Sequence, residues 1–575
     1  MSDDKRDQAG RLRLLLVALG ALSGLLAGFA ALTVAELAAA AVRPESSPVV
    51  AVGGAAIDRT PVAVKDWAIR HFGSDDKLVL QLGIVAVLAA VALVLGVLTR
   101  RFRRTGAAGV LLFGVIGAFA ATGRPDSTGP ADAVPSVVGA VAGALLLYAL
   151  AGRLRMPRGV GGSAADDPAA EPGSGRAPGA SASGHPPTGP RTTEPTEPTV
   201  PAEPAVPVSH AAAFDRRGFV LTAVAAAAAS AGAGAAGRAL NGAGGRDAAA
   251  SRARVTLPRP ASPAPAVPAG AGLRVPGASA FTTANSDFYR VDTALVVPKV
   301  DATDWRLRIH GSGVRHPATH SFDDLLRRRL IERDITLTCV SNEVGGPYVG
   351  NARWIGVPLA DLLAECGVRP PSKGGPADQL VARSVDGMTI GTPVEEVMDG
   401  RDALLALGMN GEPLPLEHGF PVRMVVPGLY GYVSACKWIE DIELTTFDSY
   451  DPYWVKRSWA RRAPIKTQSR IDTPKPFARP RAGTVMVAGV AWAQHRGIDK
   501  VEVRVDDGPW REAGLAAEDS RDTWRQWSIP WRAAKGGHTL TVRATDRTGR
   551  LQTEQRARTV PDGASGWHSV VVTVE

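Results

Sequence analysis

One cysteine without a companion concentrates the chemistry of this 575-residue chain. Cys339 stands in Thr336-Leu-Thr-Cys339-Val-Ser-Asn342-Glu-Val-Gly-Gly346, where an alternating strand pattern runs into a glycine turn. No second cysteine or histidine lies nearby, so neither a disulfide nor a zinc site is indicated. Two readings stay open: a buried structural thiol, since free cysteine is among the most buried residue types, or a single thiolate ligand to a metal whose other ligands come from a cofactor. The remaining cysteines are Cys366, at a helix-end pattern that reads as core, and Cys436, inside a glycine-rich loop. Three cysteines in a chain of this length exclude a disulfide framework.

The elements around Cys339 predict an α+β unit over residues 275–455. Trp305-Arg-Leu-Arg-Ile-His310 alternates as a strand, Ser321-Phe-Asp-Asp-Leu-Leu is a capped helix start, and Pro358–Glu365 has helical spacing with Gly367 as its stop. Gly419–Thr446 holds two apolar β runs around a glycine-broken loop. Over 478–575 only short strands follow (Val485–Val490, Lys500–Val505, His538–Ala544, Val570–Val574), spaced by turn signals such as Asp506-Asp507-Gly508. That pattern predicts an immunoglobulin-like β-sandwich.

Residues 1–158 read differently. Apolar stretches at 14–41, 78–98, 107–122 and 134–152 approach the roughly 20 residues needed to cross a bilayer. Lys5, Arg6, Arg11 and Arg13 precede the first, Arg100, Arg101, Arg103 and Arg104 follow the second, and Arg153, Arg155 and Arg158 follow the fourth. The positive-inside rule then puts the N terminus, the 99–105 loop and the segment after 153 in the cytoplasm. The formal charge of +9 is thus spent on membrane flanks and scattered surface segments, without the basic, aromatic-interleaved stripe of a nucleic-acid binder. Residues 159–212 are rich in Pro, Ala, Gly, Ser and Thr, too poor in large apolar side chains to offset chain entropy, and predict a disordered linker. Residues 213–240 contain Arg216-Arg217 ahead of an Ala/Gly-rich apolar run, which reads either as an internal twin-arginine export signal or as an ordinary fifth span with a basic flank. Both put everything beyond residue 250 outside the cytoplasm, in a multi-pass protein of a bacterial cytoplasmic membrane.

An α+β unit with one key cysteine followed by a β-sandwich resembles the sulfite oxidase family of molybdopterin enzymes. The segments that carry the resemblance are Asn285-Ser-Asp-Phe-Tyr289-Arg290, Thr338-Cys339-Val-Ser-Asn342, Gly350-Asn-Ala-Arg353-Trp354-Ile-Gly356, Met409-Asn-Gly-Glu-Pro-Leu-Pro, His418-Gly-Phe-Pro-Val-Arg423 and Val426-Pro-Gly-Leu-Tyr-Gly431-Tyr-Val-Ser434-Ala-Cys-Lys437-Trp438. The resemblance implies a molybdenum–molybdopterin cofactor with Cys339 as the protein's metal ligand, a soft thiolate suiting a redox-active metal that carries oxo groups. It implies cofactor contacts from Asn285, Tyr289, Arg290, Ser384, His418, Arg423, Ser434 and Lys437, with the basic residues on the pterin's phosphate. Arg290 is the expected positioner of an anionic or polar substrate. The C-terminal sandwich is the expected dimerisation unit of a homodimer.

Departures from the family pattern bear on the substrate. Animal members follow the cysteine-loop Asn with two arginines; here Asn342 is followed by Glu343 and Val344. Arg290 is followed by Val291 and Asp292 where the family has Asn-His, and the active-site tyrosine has only Tyr450 and Tyr453 in the matching region. A small oxo-acid such as sulfite and an S-oxide or N-oxide are therefore both admitted, and a cofactor-free, membrane-anchored binding protein is the rival from another class. None of the ten histidines falls in a proposed span and no Cys-x-x-Cys-His occurs, so no haem is expected and a separate electron carrier such as a cytochrome is implied.

Overall fold

The computed structural model describes residues 2–154 and 215–575, apart from 62–63, 65–66, 68–70, 73–75 and 125. The linker expected at 159–212 lies outside the described residues. The N-terminal part includes, among the described residues, the helices α1 (Ser2–Val42), α2 (Pro48–Arg59), α3 (Asp76–Thr99), α4 (Arg103–Thr122), α5 (Val134–Arg153) and α6 (Arg216–Arg254). All but α2 are long and apolar enough to cross a bilayer by length and composition. Small residues stand at their contacts and let the backbones approach closely. Gly20, Gly24 and Gly28 of α1 face Ala92 and Gly96 of α3, and a Cβ on Gly24 would run into the Ala92 carbonyl. Gly139 and Gly143 of α5 meet Ala27, Ala31 and Ala35 of α1 in the same way.

The sequence predicts that the fifth apolar segment ends near residue 240, whereas α6 continues to Arg254. Alanine-rich sequence sustains the helix, and its last turn is tied to the next unit. Arg252 donates to the Pro413 and Leu414 carbonyls and pairs with Glu412 at 2.8 Å, while the Ser251 hydroxyl accepts from Ala302 N–H.

The central unit contains two five-stranded sheets on one core. One has the order β2 (Ala318–Ser321), β1 (Arg306–Gly311), β10 (Ile439–Thr445), β5 (Gln379–Ser384), β6 (Thr389–Pro393), with only β1 and β10 parallel. The other runs β3 (Ile331–Thr338), β4 (Val349–Pro358), β7 (Leu404–Met409), β8 (Glu412–Pro413), with β9 (Arg423–Val425) also paired to β7. Short helices α7 (Phe322–Leu326), α8 (Leu359–Glu365), α9 (Val394–Met398) and α10 (Gly431–Ser434) fill the corners. The Ser321 start is a complete capping box with Asp324, and Gly367 ends α8 in the left-handed region at φ +78°. The core is continuous through Leu307, Ile335, Trp354, Leu380, Leu405 and Phe420, all nearly inaccessible.

Beyond residue 467, two four-stranded antiparallel sheets enclose a second core around Val487, Trp527, Leu540 and Val572. Their orders are β11 (Gln468–Thr473), β12 (Gly483–Trp492), β16 (Arg525–Ala533), β15 (Gly514–Leu515) and β14 (Arg511–Glu512), β13 (Ile498–Val505), β17 (Gly536–Asp546), β18 (His568–Val574). This β-rich unit also buttresses the cysteine strand. Gln494 donates to the Thr336 carbonyl and the Thr338 hydroxyl, Thr336 N–H bonds to Asp522 O, and Arg470 reaches the Gly346 carbonyl at 2.9 Å. Gly345, at φ +82°, lies against the His568 ring, with no space for a Cβ.

Candidate active site and cofactor cavity

β3 delivers Cys339 to the mouth of a cavity of about 310 Å³ in the central unit. The strand stops there because the chain turns back: Asn342 N–H bonds to the Cys339 carbonyl, and Asn342 Oδ1 accepts from Tyr348 N–H at 2.8 Å. Asn342 therefore braces the loop. Cys339 stays partly accessible because it faces the cavity. Burial pushes its thiol above the ordinary value, against hydrogen bonding from Ser341 and the charge of Lys437.

Around the cysteine the cavity gathers Tyr289, Ser341, Ser384, His418, Arg423 and Lys437. Tyr289 is driven upward by burial and by the Cys339 charge, so it holds its phenolic proton. His418 Nε2 lies 3.0 Å from the Asn285 carbonyl, which can only accept; Nε2 therefore carries the hydrogen and Nδ1 is the acceptor. Burial, then Arg423, pushes His418 down to about 4, so it is neutral at pH 7. Arg423 donates from Nη1 to the His418 carbonyl and stacks 5.0 Å above Trp354, while its buried Nε has no partner. Burial brings it down to about 10, which leaves it charged. Lys437 is lowered by burial to about 8, with Asp292 opposing the shift.

Asp292 is the electrostatic node that sequence reasoning passed over as a mere departure from pattern. It accepts from Lys437 Nζ at 2.7 Å, from Arg290 at 3.0 Å and from Lys77 of α3. Burial alone would raise its carboxyl, but the Lys437, Lys77 and Arg290 charges outweigh it and hold the group well below the ordinary carboxylate range.

Three expected contacts lie elsewhere. Arg290 is more than a third exposed, does not line the cavity and is held by Asp292, two residues along the chain. The Asn285 side chain bonds to Glu412 and the Met409 carbonyl, and only its backbone carbonyl, through His418, serves the cavity. Ser434 is buried, but its hydroxyl closes α10 onto the Leu429 and Tyr430 carbonyls. Arg353 pairs with its cross-strand neighbour Asp334 at 2.6 Å. Tyr450 bonds Thr389, and Tyr453 bonds Asp58 of α2.

The structure adds residues that the sequence reading did not single out. Tyr432, Trp454 and Trp459 form one aromatic cluster on the cavity wall, with centroids 5.6 and 6.2 Å apart, and the buried Trp459 indole N–H has no partner. Asp386 lines the cavity with its carboxyl pushed upward by burial. Ile57, Thr60 and Val64, with Lys77 and Leu80 of α3, complete the wall from the N-terminal part.

The donor set fits a pterin-held metal. One thiol faces the space, an orphaned guanidinium N–H and a buried ammonium suit a terminal phosphate, and a neutral histidine acceptor and a protonated phenol suit the heterocycle. Among the described residues no cluster of three or more His, Cys, Asp or Glu is placed to bind a metal on its own.

Comparison with known proteins bears on the same region. A model of the oxidoreductase molybdopterin binding domain matches residues 294–454. Mitochondrial sulfite oxidase of Rattus norvegicus is 30% identical over 294 residues, covering 44% of this chain and 53% of that protein. The chain thus spans about half the length of the sulfite oxidases it matches. The uncharacterized oxidoreductase YuiH of Bacillus subtilis is 32% identical over 189 residues, 33% of this chain and 87% of that protein. The solved sulfane dehydrogenase SoxCD from Paracoccus pantotrophus covers 52% of this chain and 84% of its own, at 25% identity and a TM-score of 0.44.

Proposed function

Because this chain belongs to the sulfite oxidase family of molybdenum-cofactor-dependent oxidoreductases, we propose that it carries out two-electron oxo transfer on a small sulfur-centred substrate while anchored in a bacterial cytoplasmic membrane, its catalytic unit outside. The observation that carries the reading is the convergence of Cys339, Tyr289, His418, Arg423 and Lys437 on one cavity with an unpartnered buried Arg423 N–H. When bound, the cofactor supplies the two-electron change and the exchangeable oxo group. Cys339 is its protein ligand. Arg423 and Lys437 hold its anionic end by charge-assisted bonds, neutral His418 offers Nδ1 to a heterocycle N–H, and Tyr289 donates its phenolic hydrogen into the site.

The wall favours an uncharged S-oxide or its thioether over sulfite. The pair expected after Asn342 is absent, since Glu343 and Val344 stand there and do not line the cavity, Arg290 is engaged by Asp292, and the Tyr432–Trp454–Trp459 cluster offers apolar surface plus one free indole N–H for a substrate oxygen. Purified full-length enzyme assayed with a reduced viologen against dialkyl sulfoxides, and with ferricyanide against sulfite, decides. Sulfoxide-dependent viologen oxidation is expected, and turnover of sulfite alone would overturn this preference.

Topology is read from charge. The segment between α1 and α3, the first turns of α3 and the end of α6 carry every contact cited above between the N-terminal helices and the catalytic unit, and these are the ends placed outside by the positive-inside rule. Arg216-Arg217, at the start of α6, serves as a twin-arginine signal for export of a folded, loaded domain, and the C-terminal β unit as an immunoglobulin-like homodimerisation module. Electrons pass to or from a carrier outside this chain.

A further inference from the structure

A second cavity, of about 730 Å³, opens among α1, α2, α3, α4 and α5. Its wall is apolar, built from residues such as Leu25, Phe29, Ile84, Val110 and Phe113, with one polar side chain, Ser136. That hydroxyl is buried and has no partner. It lies in the first turn of α5, which follows directly on the 3-10 turn Pro130–Ala133. Gly117 of α4 sits opposite, and a Cβ there would stand 2.7 Å from the Ser136 oxygen. Apolar surface enclosing a single orphaned donor describes a ligand with a long hydrocarbon body and one carbonyl-type acceptor at its head.

The position of this cavity says what such a ligand would do. Leu80 of α3 lines both it and the cavity that holds Cys339. Leu80, Ser136 and Pro48 all lie within a few residues of the helix ends that face the catalytic unit, so the polar head stands on the catalytic side and the hydrocarbon runs back between the helices. The volume, about 730 Å³, is within the usual range for small-molecule sites, roughly 300–1,000 Å³.

We propose that this cavity binds a prenyl-tailed quinone, its ring carbonyl accepting from Ser136, as the direct electron partner of the catalytic unit. This rests on the oxo-transfer reading above. The overall change balances: substrate, water and quinone give oxygenated substrate and quinol, the two electrons and two protons lost on one side being those the quinone gains, and the reverse holds for S-oxide reduction. The carrier that sequence reasoning assigns to a separate protein is then a membrane-soluble molecule held by this chain. A phospholipid or fatty acyl chain also carries a carbonyl at its head, and competition by a fatty acid separates it from the quinone.

The test uses the full-length protein in phosphatidylcholine nanodiscs, titrated with decylubiquinone and, separately, with a fluorescent fatty acid, with bound ligand and molybdenum content read on the same samples. Saturable one-to-one decylubiquinone binding is expected. Ser136→Ala should weaken it about tenfold. Gly83→Phe, at a position that lines the cavity and whose Cβ meets no atom within 4 Å, should abolish it without harming the fold. Equal binding in wild type and both variants, or displacement of the quinone by the fatty acid at matching concentration, overturns the proposal. Quinone binding without molybdenum would sink the oxo-transfer reading and leave the binding site standing; stoichiometric molybdenum without quinone binding would do the reverse.

Discussion

Asp292→Asn is the sharpest perturbation this structure offers outside the cysteine itself. The carboxylate is almost wholly inaccessible and takes Lys437 at 2.7 Å, Arg290 at 3.0 Å and Lys77. Lys437 is itself buried, and its other acceptor is the Glu417 carbonyl at 3.3 Å. Removing the negative partner leaves a buried ammonium uncompensated, a change that costs about 3–5 kcal/mol. At roughly 2–4 °C per kcal/mol for a unit of this size, the unfolding midpoint of the catalytic unit should fall by about 6–20 °C. Asparagine keeps the shape, so the loss is electrostatic. Differential scanning fluorimetry of the detergent-solubilised protein measures it. Asp292→Asn/Lys437→Met, which removes both charges, should recover at least about 1 kcal/mol relative to the sum of the two single variants. A single-variant shift below about 2 °C, or strict additivity in the pair, would refute the assignment of Asp292 as the node that carries the buried charge.

Acid should weaken the fold through two histidines. His568 and His418 are each pushed from 6.5 to about 4, chiefly by burial, so the stability tied to their neutral forms is complete above pH 6.5 and is lost as pH falls towards 4. Urea unfolding across that window should show a decline of up to about 3 kcal/mol per histidine, and His568→Gln should flatten part of it. Gly345→Ala meets both a left-handed backbone and the His568 ring, so it should destabilise by more than the roughly 1–2 kcal/mol of the backbone alone and lower molybdenum retention through the cysteine loop, read by metal analysis. Gly24→Leu should separate α1 from α3 and be seen as loss of monodisperse protein on size exclusion. Changing Arg216 and Arg217 to Lys should trap the catalytic unit in the cytoplasm, as measured by protease protection in spheroplasts.

Much of this was written locally. The capped start at Ser321, the glycine stop at Gly367 and the alternation of β1 follow from side chains within one turn or one strand, and each is found at the expected residues. The cysteine, histidine, arginine and lysine of the cavity were legible because each sits in a short motif. What escaped was the set of contacts made between distant segments. Asp292 gains its meaning from Lys437 and from Lys77, 215 residues away, and the Trp454–Trp459 wall forms only once that loop folds over Tyr432. Arg290 and Ser434 sit in motifs yet turn away, because Asp292 holds the first and the α10 carbonyls take the second. Likewise β16 and the bracing of Thr336 by Gln494 and Asp522 come from tertiary pairing that no window of sequence displays.

The central claim is that Cys339 holds a molybdenum centre. Molybdenum content and X-ray absorption of purified full-length wild type and Cys339→Ser test it together. The account predicts near-stoichiometric molybdenum in wild type, and in Cys339→Ser either loss of the metal or a spectrum short of one sulfur neighbour. Well-folded wild type lacking molybdenum, or identical sulfur coordination in both proteins, would contradict it.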